Sequence, residues 1–432
     1  MELTKNMVEK KTDRELFWAL YKELDARHGT YTDNSYENQV NLSRTESAPI
    51  HRWLHYQEGY SWVLVARMLS HLNVDSKALV FDPFVGSGTT LLVAKELRNK
   101  SIGFEINPFS AFVARTKTLN YSDKDLKELK EFKIPEWRPM DDVYDKYELK
   151  IIRNLFDRRK LEGIEALKEN IKRIENKKTR DLLFTALLSI LENVSNYRKG
   201  GNGLKRKRVN RNLDPFVEFE TKIEQIYKDI AGRSPGAEPI IINDSCLNIG
   251  EYDIDDIGVS IFSPPYANCF DPFEVYKIEL WIGEFVSSYD DLRAKRRKAL
   301  ASNLNADLKR EVGTSHRTEL LDALLAFLSK EELWDKRIPR MLDIYFHDML
   351  DLLSSLYKRT RNNGFCVIVV GNSAYGKLAI PTDILLAQMG EKTGFGVKEI
   401  IIARTNETSS QQHAKLGKYT EYLRESLVVL QK

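Results

Sequence analysis

Cysteine is scarce in this chain, limited to Cys246, Cys269 and Cys366. These are too few and too scattered for a disulfide framework, and no C-x-x-C pair offers a zinc site, so a reducing compartment fits. Long apolar runs are missing as well. Nothing approaches the ~18 apolar residues that a spanning helix needs, and the opening MELTKNMVEKKTDREL carries no apolar segment behind its basic residues. We expect no membrane segment, no secretion and a cytoplasmic location. An excess of charge is also lacking, since 66 Lys and Arg stand against 63 Asp and Glu for a net +3 over 432 residues. Net charge therefore argues neither for nor against a nucleic acid, and the placement of the basic residues has to decide. With 22 Gly, 13 Pro and 42% hydrophobic residues, the composition excludes a collagen-like or wholly disordered chain. His51 and His55 stand at helical spacing but lack the Glu of an H-E-x-x-H pattern, so no metal site is expected.

What is present is an alternation of short apolar runs with helical patterns. Ala78 to Phe81, Ser101 to Phe104, Pro239 to Ile242, Gly258 to Phe262 and Phe365 to Val370 have the length of strands buried on both faces. Helical spacing separates several of them, notably over Thr89 to Leu97 and Leu342 to Tyr357. That alternation predicts an α/β fold with a doubly wound, mostly parallel sheet. Val397 to Ala403 and Glu425 to Leu430 read instead as a C-terminal antiparallel strand pair. Residues 1–50 read as a helical start followed by a polar loop, and Ser61 caps a helix that follows. Two charged helical stretches, 119–237 and 286–340, stand outside the alternation as insertions. The divisions expected are thus 1–50, 51–118, 119–237, 238–285, 286–340 and 341–432.

Chemistry concentrates at the ends of the predicted strands. VFDPFVGSGTTLLVAKEL joins a strand, a glycine-rich turn and a helix start. Gly86 and Gly88 permit a ligand to approach the backbone, and the helix opened by Thr89 presents free N–H groups that favour negative charge. A phosphate-binding loop would need Gly-Lys-Ser/Thr, and a dinucleotide fingerprint would need a third Gly where Leu91 stands. Glu105 ends the second strand, where a carboxylate can accept from both ribose hydroxyls of an adenosine ligand. Asp244 and Ser245 end the third, placed to meet the adenine, although Asn-Asp-Ser is also ordinary turn chemistry. The fourth strand ends in Ser263-Pro264-Pro265-Tyr266. Two prolines stiffen the chain so that the Ser263 hydroxyl and the Pro264 carbonyl can accept from an amino group, and Tyr266 offers a flat face for an unstacked base.

These residues resemble the amino-group DNA methyltransferases that use S-adenosylmethionine. The resemblance covers about residues 51–118 and 238–285, and more loosely 341–432. In that family a D-P-F-x-G-S-G-T turn holds the methionine end of the cofactor. Asp82, Phe84, Gly86, Ser87, Gly88 and Thr89 match it here. The resemblance implies a Rossmann-like fold, ribose binding by Glu105, and adenine contact through Asp244 and Ser245. Its catalytic tetrapeptide would be Ser263, Pro264, Pro265 and Tyr266, in a form most like the cytosine-N4 branch. His51 to Tyr60 is similar to the segment that covers the cofactor. The long insertion between the second and third strands departs from the family's pattern, so the resemblance does not locate the target recognition region.

A carbon-5 cytosine methyltransferase would need a Cys after Pro, and none of the three cysteines follows one. For DNA contact the strongest signal is NYRKGGNGLKRKRVNRN. Its Arg198, Lys199, Lys205, Arg206, Lys207, Arg208 and Arg211 occur without an acidic residue over 198–211, in a glycine-bearing run that reads as a mobile loop. A second cluster, RAKRRK at 293–298, follows the catalytic motif. The function expected is site-specific methylation of cytosine N4 in double-stranded DNA, with a cognate restriction endonuclease acting at the same site. Adenine N6 is the alternative, ahead of an RNA methyltransferase or a silent DNA-binding protein.

Overall fold

Valine, isoleucine and phenylalanine runs closed by Asp, Ser or Pro form strands wherever both faces can be covered. In the computed structural model, which describes residues 12–41, 47–201, 203–208, 212–405 and 416–432, the strands come in the following chain order. They are β1 (Tyr31–Thr32), β2 (Leu79–Asp82), β3 (Ser101–Phe104), β4 (Tyr197–Gly200), β5 (Gly203–Arg206), β6 (Ile240–Ile242), β7 (Ile257–Phe262), β8 (Thr360–Gly371), β9 (Ser373–Tyr375), β10 (Leu378–Ile380), β11 (Gly396–Thr405) and β12 (Arg424–Gln431). The chain divides into two compact units. The first comprises Met1–Ser35, Pro265–Asn268 and Leu300–Lys432, and the second Tyr36–Pro264 and Cys269–Ala299.

In the second unit β2 pairs in parallel with β3 and with β7, and β3 pairs in parallel with β6. Every residue of β7 is buried, the pattern of a strand covered on both faces. The connections are helical: Thr89–Glu96 between β2 and β3, and Pro108–Thr118 after β3. This is the doubly wound parallel arrangement the sequence predicts. The stretch expected as an insertion contributes the helices Asp123–Glu131, Arg158–Lys172, Lys177–Val194 and Pro215–Ile230. Its Leu187 and Phe219 share one apolar cluster with Trp53, Leu92 and Phe109 and with Tyr276 and Trp281.

The first unit holds the C-terminal antiparallel strands. β11 pairs with β12, and β12 with β8, both antiparallel, while β1 joins β11 in parallel. The C-terminal antiparallel pair is thus present, extended by β8 on one side and by β1 on the other. β1 lies in the stretch read as a polar loop. Its two residues are exposed, so no apolar pattern announces it. Ser61 caps the helix Trp62–His71 by accepting from the Val63 N–H, as expected. None of the three cysteines forms a disulfide. Among the described residues no helix is long and apolar enough to cross a membrane, and no cluster of His, Cys, Asp and Glu could hold a metal ion.

Candidate active site

Four elements of the second unit bring the predicted cofactor residues together. β2 delivers Asp82, whose Oδ1 accepts from the Phe84 N–H at 2.9 Å and so folds the turn back on itself. Gly86 and Gly88 then take positive φ of 53° and 91°, a region costly for residues with a Cβ. The helix Thr89–Glu96 starts at Gly88 with no side-chain cap, leaving its first N–H groups open toward a ligand. Ser87 and Thr89 are buried, and Phe84 packs its ring 5.7 Å from Phe262 at the end of β7.

Glu105 follows β3 and is only 8% exposed. One carboxylate oxygen accepts from Gly86 N–H at 2.7 Å and the other from Asn107 N–H at 2.8 Å. The predicted turn and the predicted carboxylate are therefore directly bonded. Burial pushes the Glu105 carboxyl up to about 7, against the pull of the Asn107 and Gly86 N–H groups, with Asp82 adding to the rise. Burial likewise raises Asp82 to about 7, while the Phe84 N–H and the Thr90 and Tyr60 hydroxyls draw it down.

A carboxyl whose folded value lies above its unfolded one stabilises the fold below the unfolded value, and this stabilisation is lost as pH rises through the folded value, here about 7. Between about pH 5 and about pH 8 the parent chain should accordingly lose stability relative to Glu105→Gln, by at most about 1.4 kcal/mol per pH unit. Thermal unfolding of the two chains across that range measures the difference. Parallel curves would mean that Glu105 is not held in a desolvated site.

Asp244, after β6, is brought next to Glu105 by the bond from Glu105 N–H to the Ile242 carbonyl at 2.9 Å. Its own carboxylate is fully engaged. Oδ1 accepts from Ser245 N–H and Asn248, and Oδ2 from Asn248 and from the Tyr252 hydroxyl at 3.0 Å. Burial acts to raise its pKa, but these donors outweigh it and hold the carboxyl below the usual range. Ser245 caps the short turn that follows. Both residues thus serve the local turn, whatever they touch beyond it.

Of the tetrapeptide expected to be catalytic, Ser263 and Pro264 leave β7 beside β2, whose Phe81 is in register with Ser260. Pro265 and Tyr266 fall in the first unit. There the Tyr266 hydroxyl donates to Glu425 Oε1 at 3.3 Å, and Arg404 pairs with the other Glu425 oxygen at 2.5 Å. The Tyr266 ring lies so close to Gly371 that a Cβ there would come within 2.8 Å of it.

Where it is described, the basic run is not a loop: Tyr197–Gly200 and Gly203–Arg206 pair as the antiparallel strands β4 and β5, with Arg198 opposite Lys205 and Lys199 opposite Leu204. Mixed charge and glycine hide the period-2 alternation that would have announced it. Arg198, Lys205, Arg206 and Arg208 are exposed. Lys199 is buried and paired with Glu192 and Glu279. Lys207 donates to the carbonyls of Glu192, Asn193 and Ser195 at the end of the helix Lys177–Val194, where a cation complements the helix dipole. These two lysines are spent inside the protein. Arg211 lies outside the described residues. In the second cluster Arg293, Lys295 and Arg296 are paired with Asp290, Asp291, and Asp271 together with Glu274.

Sequence reading missed two tyrosines. Tyr56, in the segment His51 to Tyr60, sits over the glycine turn, 3.1 Å from the place a Cβ on Gly86 would occupy. Tyr276 stacks on Tyr56 with ring centroids 4.9 Å apart and planes at 10°, and its hydroxyl accepts from Gln57 N–H at 2.9 Å. The segment is held from below by Asp229, which accepts from Ile50 N–H at 2.9 Å and from the Trp53 indole at 3.0 Å. The similarity of His51 to Tyr60 to a cofactor-covering segment was the one signal that pointed to Tyr56; nothing local marks Tyr276.

Residues 5–114 match the family described as DNA methylase, N6_N4_Mtase. The chain is 27% identical over 421 residues to the Type II methyltransferase M.AvaI of Nostoc sp., covering 88% of this chain and 86% of that protein. It is 25% identical over 457 residues to the Type II methyltransferase M.BsoBI of Geobacillus stearothermophilus, covering 91% and 87%. A shorter stretch of 117 residues, 27% of this chain and 22% of the relative, is 30% identical to the Type II methyltransferase M.MjaII of Methanocaldococcus jannaschii. Coming on top of the bonded glycine turn and Glu105, these matches support an amino-group DNA methyltransferase that uses S-adenosylmethionine.

Proposed function

We propose that the chain methylates the exocyclic N4 of cytosine at a defined site in duplex DNA, as the methyltransferase of a Type II restriction-modification pair. One observation carries the reading. The β7 end that bears Ser263 and Pro264 adjoins the β2 end that bears the glycine turn, through the Phe81 to Ser260 register and the packing of Phe84 on Phe262. This supports a reading in which an amino-group acceptor pair and a cofactor cradle stand side by side at the carboxyl end of one parallel sheet, where such sheets bind their ligands.

The cradle suits an adenosine ligand with a charged amino acid end. At Gly86 no side chain stands between the turn and Tyr56, the uncapped helix start takes a carboxylate, and Glu105 accepts from ribose hydroxyls. When bound, S-adenosylmethionine supplies a methyl group on a sulfonium that leaves as a neutral thioether and needs no acid. The remaining work is positional. Ser263 Oγ and the Pro264 carbonyl accept from the two amino protons, which holds the nitrogen and directs its lone pair. Tyr266 stacks on the extruded base, and the nitrogen sheds its surplus proton to solvent.

Labelled methyl transfer to duplex DNA and to RNA of the same sequence tests the substrate class: transfer to DNA is expected, and transfer to RNA alone would refute it. The hairpin meets the DNA phosphates in this reading. Replacing Arg198, Lys205 and Arg206 together with Ala should weaken DNA binding and flatten its log-log salt dependence by roughly 0.9 for each phosphate no longer neutralised. Fluorescence anisotropy over a salt series measures the slope, and an unchanged slope would leave the hairpin a solvated surface.

A further inference from the structure

Lys199 stands on the hairpin but points into the second unit. Its side chain is 2% exposed, its Nζ lies 3.2 Å from Glu192, and it also pairs with Glu279, whose side chain is 1% exposed. Burial acts to lower its pKa, but Glu279 and Glu192 outweigh it and hold the ammonium above its ordinary value, so the group stays charged. The same Nζ lies 5.1 Å from the centroid of the Tyr276 ring. Tyr276 is fully buried and carries Tyr56 stacked against it, and Tyr56 in turn rests on the turn at Gly86. An unbroken line of touching side chains therefore runs from the hairpin to the turn that bonds Glu105.

Charge burial at such a place does not by itself add stability, because well-packed apolar residues of the same volume serve as well or better. What the ion pair adds is geometry. Two carboxylates fix the ammonium, the ammonium fixes the ring it faces, and that ring sets the height of Tyr56 over Gly86. We infer that Lys199 is a positioning residue of the cofactor site, holding Tyr56 in place through Tyr276 and tying cofactor retention to the hairpin that carries Arg198 and Lys205. The inference rests on the cofactor reading proposed above.

The test uses the full chain with Lys199→Met and Glu279→Gln combined, so that the carboxylate buried with Lys199 is not left charged without its partner, while Glu192 keeps its access to solvent. Calorimetry with S-adenosylhomocysteine should show affinity reduced by about tenfold, the scale of one ring interaction. The thermal midpoint should stay close to the parent's, and the salt slope of DNA binding measured without cofactor should not change. Tyr276→Leu, which keeps the ion pair and removes the platform, should give the same reduction and serves if the double variant does not fold. Parent-like affinity in either variant overturns the inference. So does a salt slope shallower by roughly 0.9, which would make Lys199 a phosphate ligand. A parent chain that binds no S-adenosylhomocysteine overturns the cofactor reading together with it.

Discussion

Gly86→Val is expected to abolish cofactor binding while the chain remains folded. The residue has φ of 53°, where a β-branched side chain is strained by roughly 1–2 kcal/mol. A Cβ there would meet Tyr56 at 3.1 Å. Tyr56 cannot yield easily, because Tyr276 is stacked on its ring. The valine would therefore turn outward into the cradle or displace the N–H that Glu105 accepts, and either outcome removes the ligand's place. Gly88→Val makes the contrasting control. Its Cβ would meet the Ala114 Cα at 3.2 Å, helix backbone that cannot move aside, so stability itself should fall. Calorimetry with S-adenosylhomocysteine, paired with thermal unfolding, separates the two. Parent-like binding by Gly86→Val would show that the ligand sits elsewhere.

Tyr266→Ala should lose turnover and keep cofactor affinity. Stacking of a base on an aromatic ring is worth roughly 1–3 kcal/mol, which corresponds to about 5-fold to 150-fold in rate if the whole of it is expressed in the transition state. Tyr266→Phe keeps the ring and gives up the hydroxyl that bonds Glu425, so it should stay within a few-fold of the parent. Gly371→Ala offers an independent approach, since the new Cβ would press on the Tyr266 ring from 2.8 Å and should reproduce part of the Ala effect without touching the motif. Single-turnover methylation assays decide. Equal rates for Tyr266→Ala and Tyr266→Phe would deny the ring any part in holding the base.

Legibility in the sequence follows the range over which each feature is encoded. β2, β3 and β7 are short apolar runs closed by their own turn residues, and they lie within a residue or so of where sequence pattern puts them. The bond between Glu105 and Gly86 N–H was foreseeable as a neighbourhood, because parallel strands align their carboxyl ends. Lys199 was not. As one of seven basics in an acid-free run it reads as a phosphate ligand, and Glu192 together with Glu279, far along the chain, turns it inward. Lys207 is misleading for the same reason, its partners being carbonyls at a helix end. Tyr56 and Tyr276 meet across most of the second unit's length in sequence, and no local spacing can encode such a pair. Asp244 is the reverse case, since its turn partners Ser245, Asn248 and Tyr252 are all within reach of a local reading.

In the proposed function an amino nitrogen of cytosine receives the methyl group. Mass spectrometry of nucleosides from duplex DNA methylated by the purified chain decides this. N4-methylcytosine is the expected product. N6-methyladenine would contradict the choice of base, and 5-methylcytosine would contradict the mechanism itself, because Cys246, Cys269 and Cys366 follow Ser245, Asn268 and Phe365 rather than a proline.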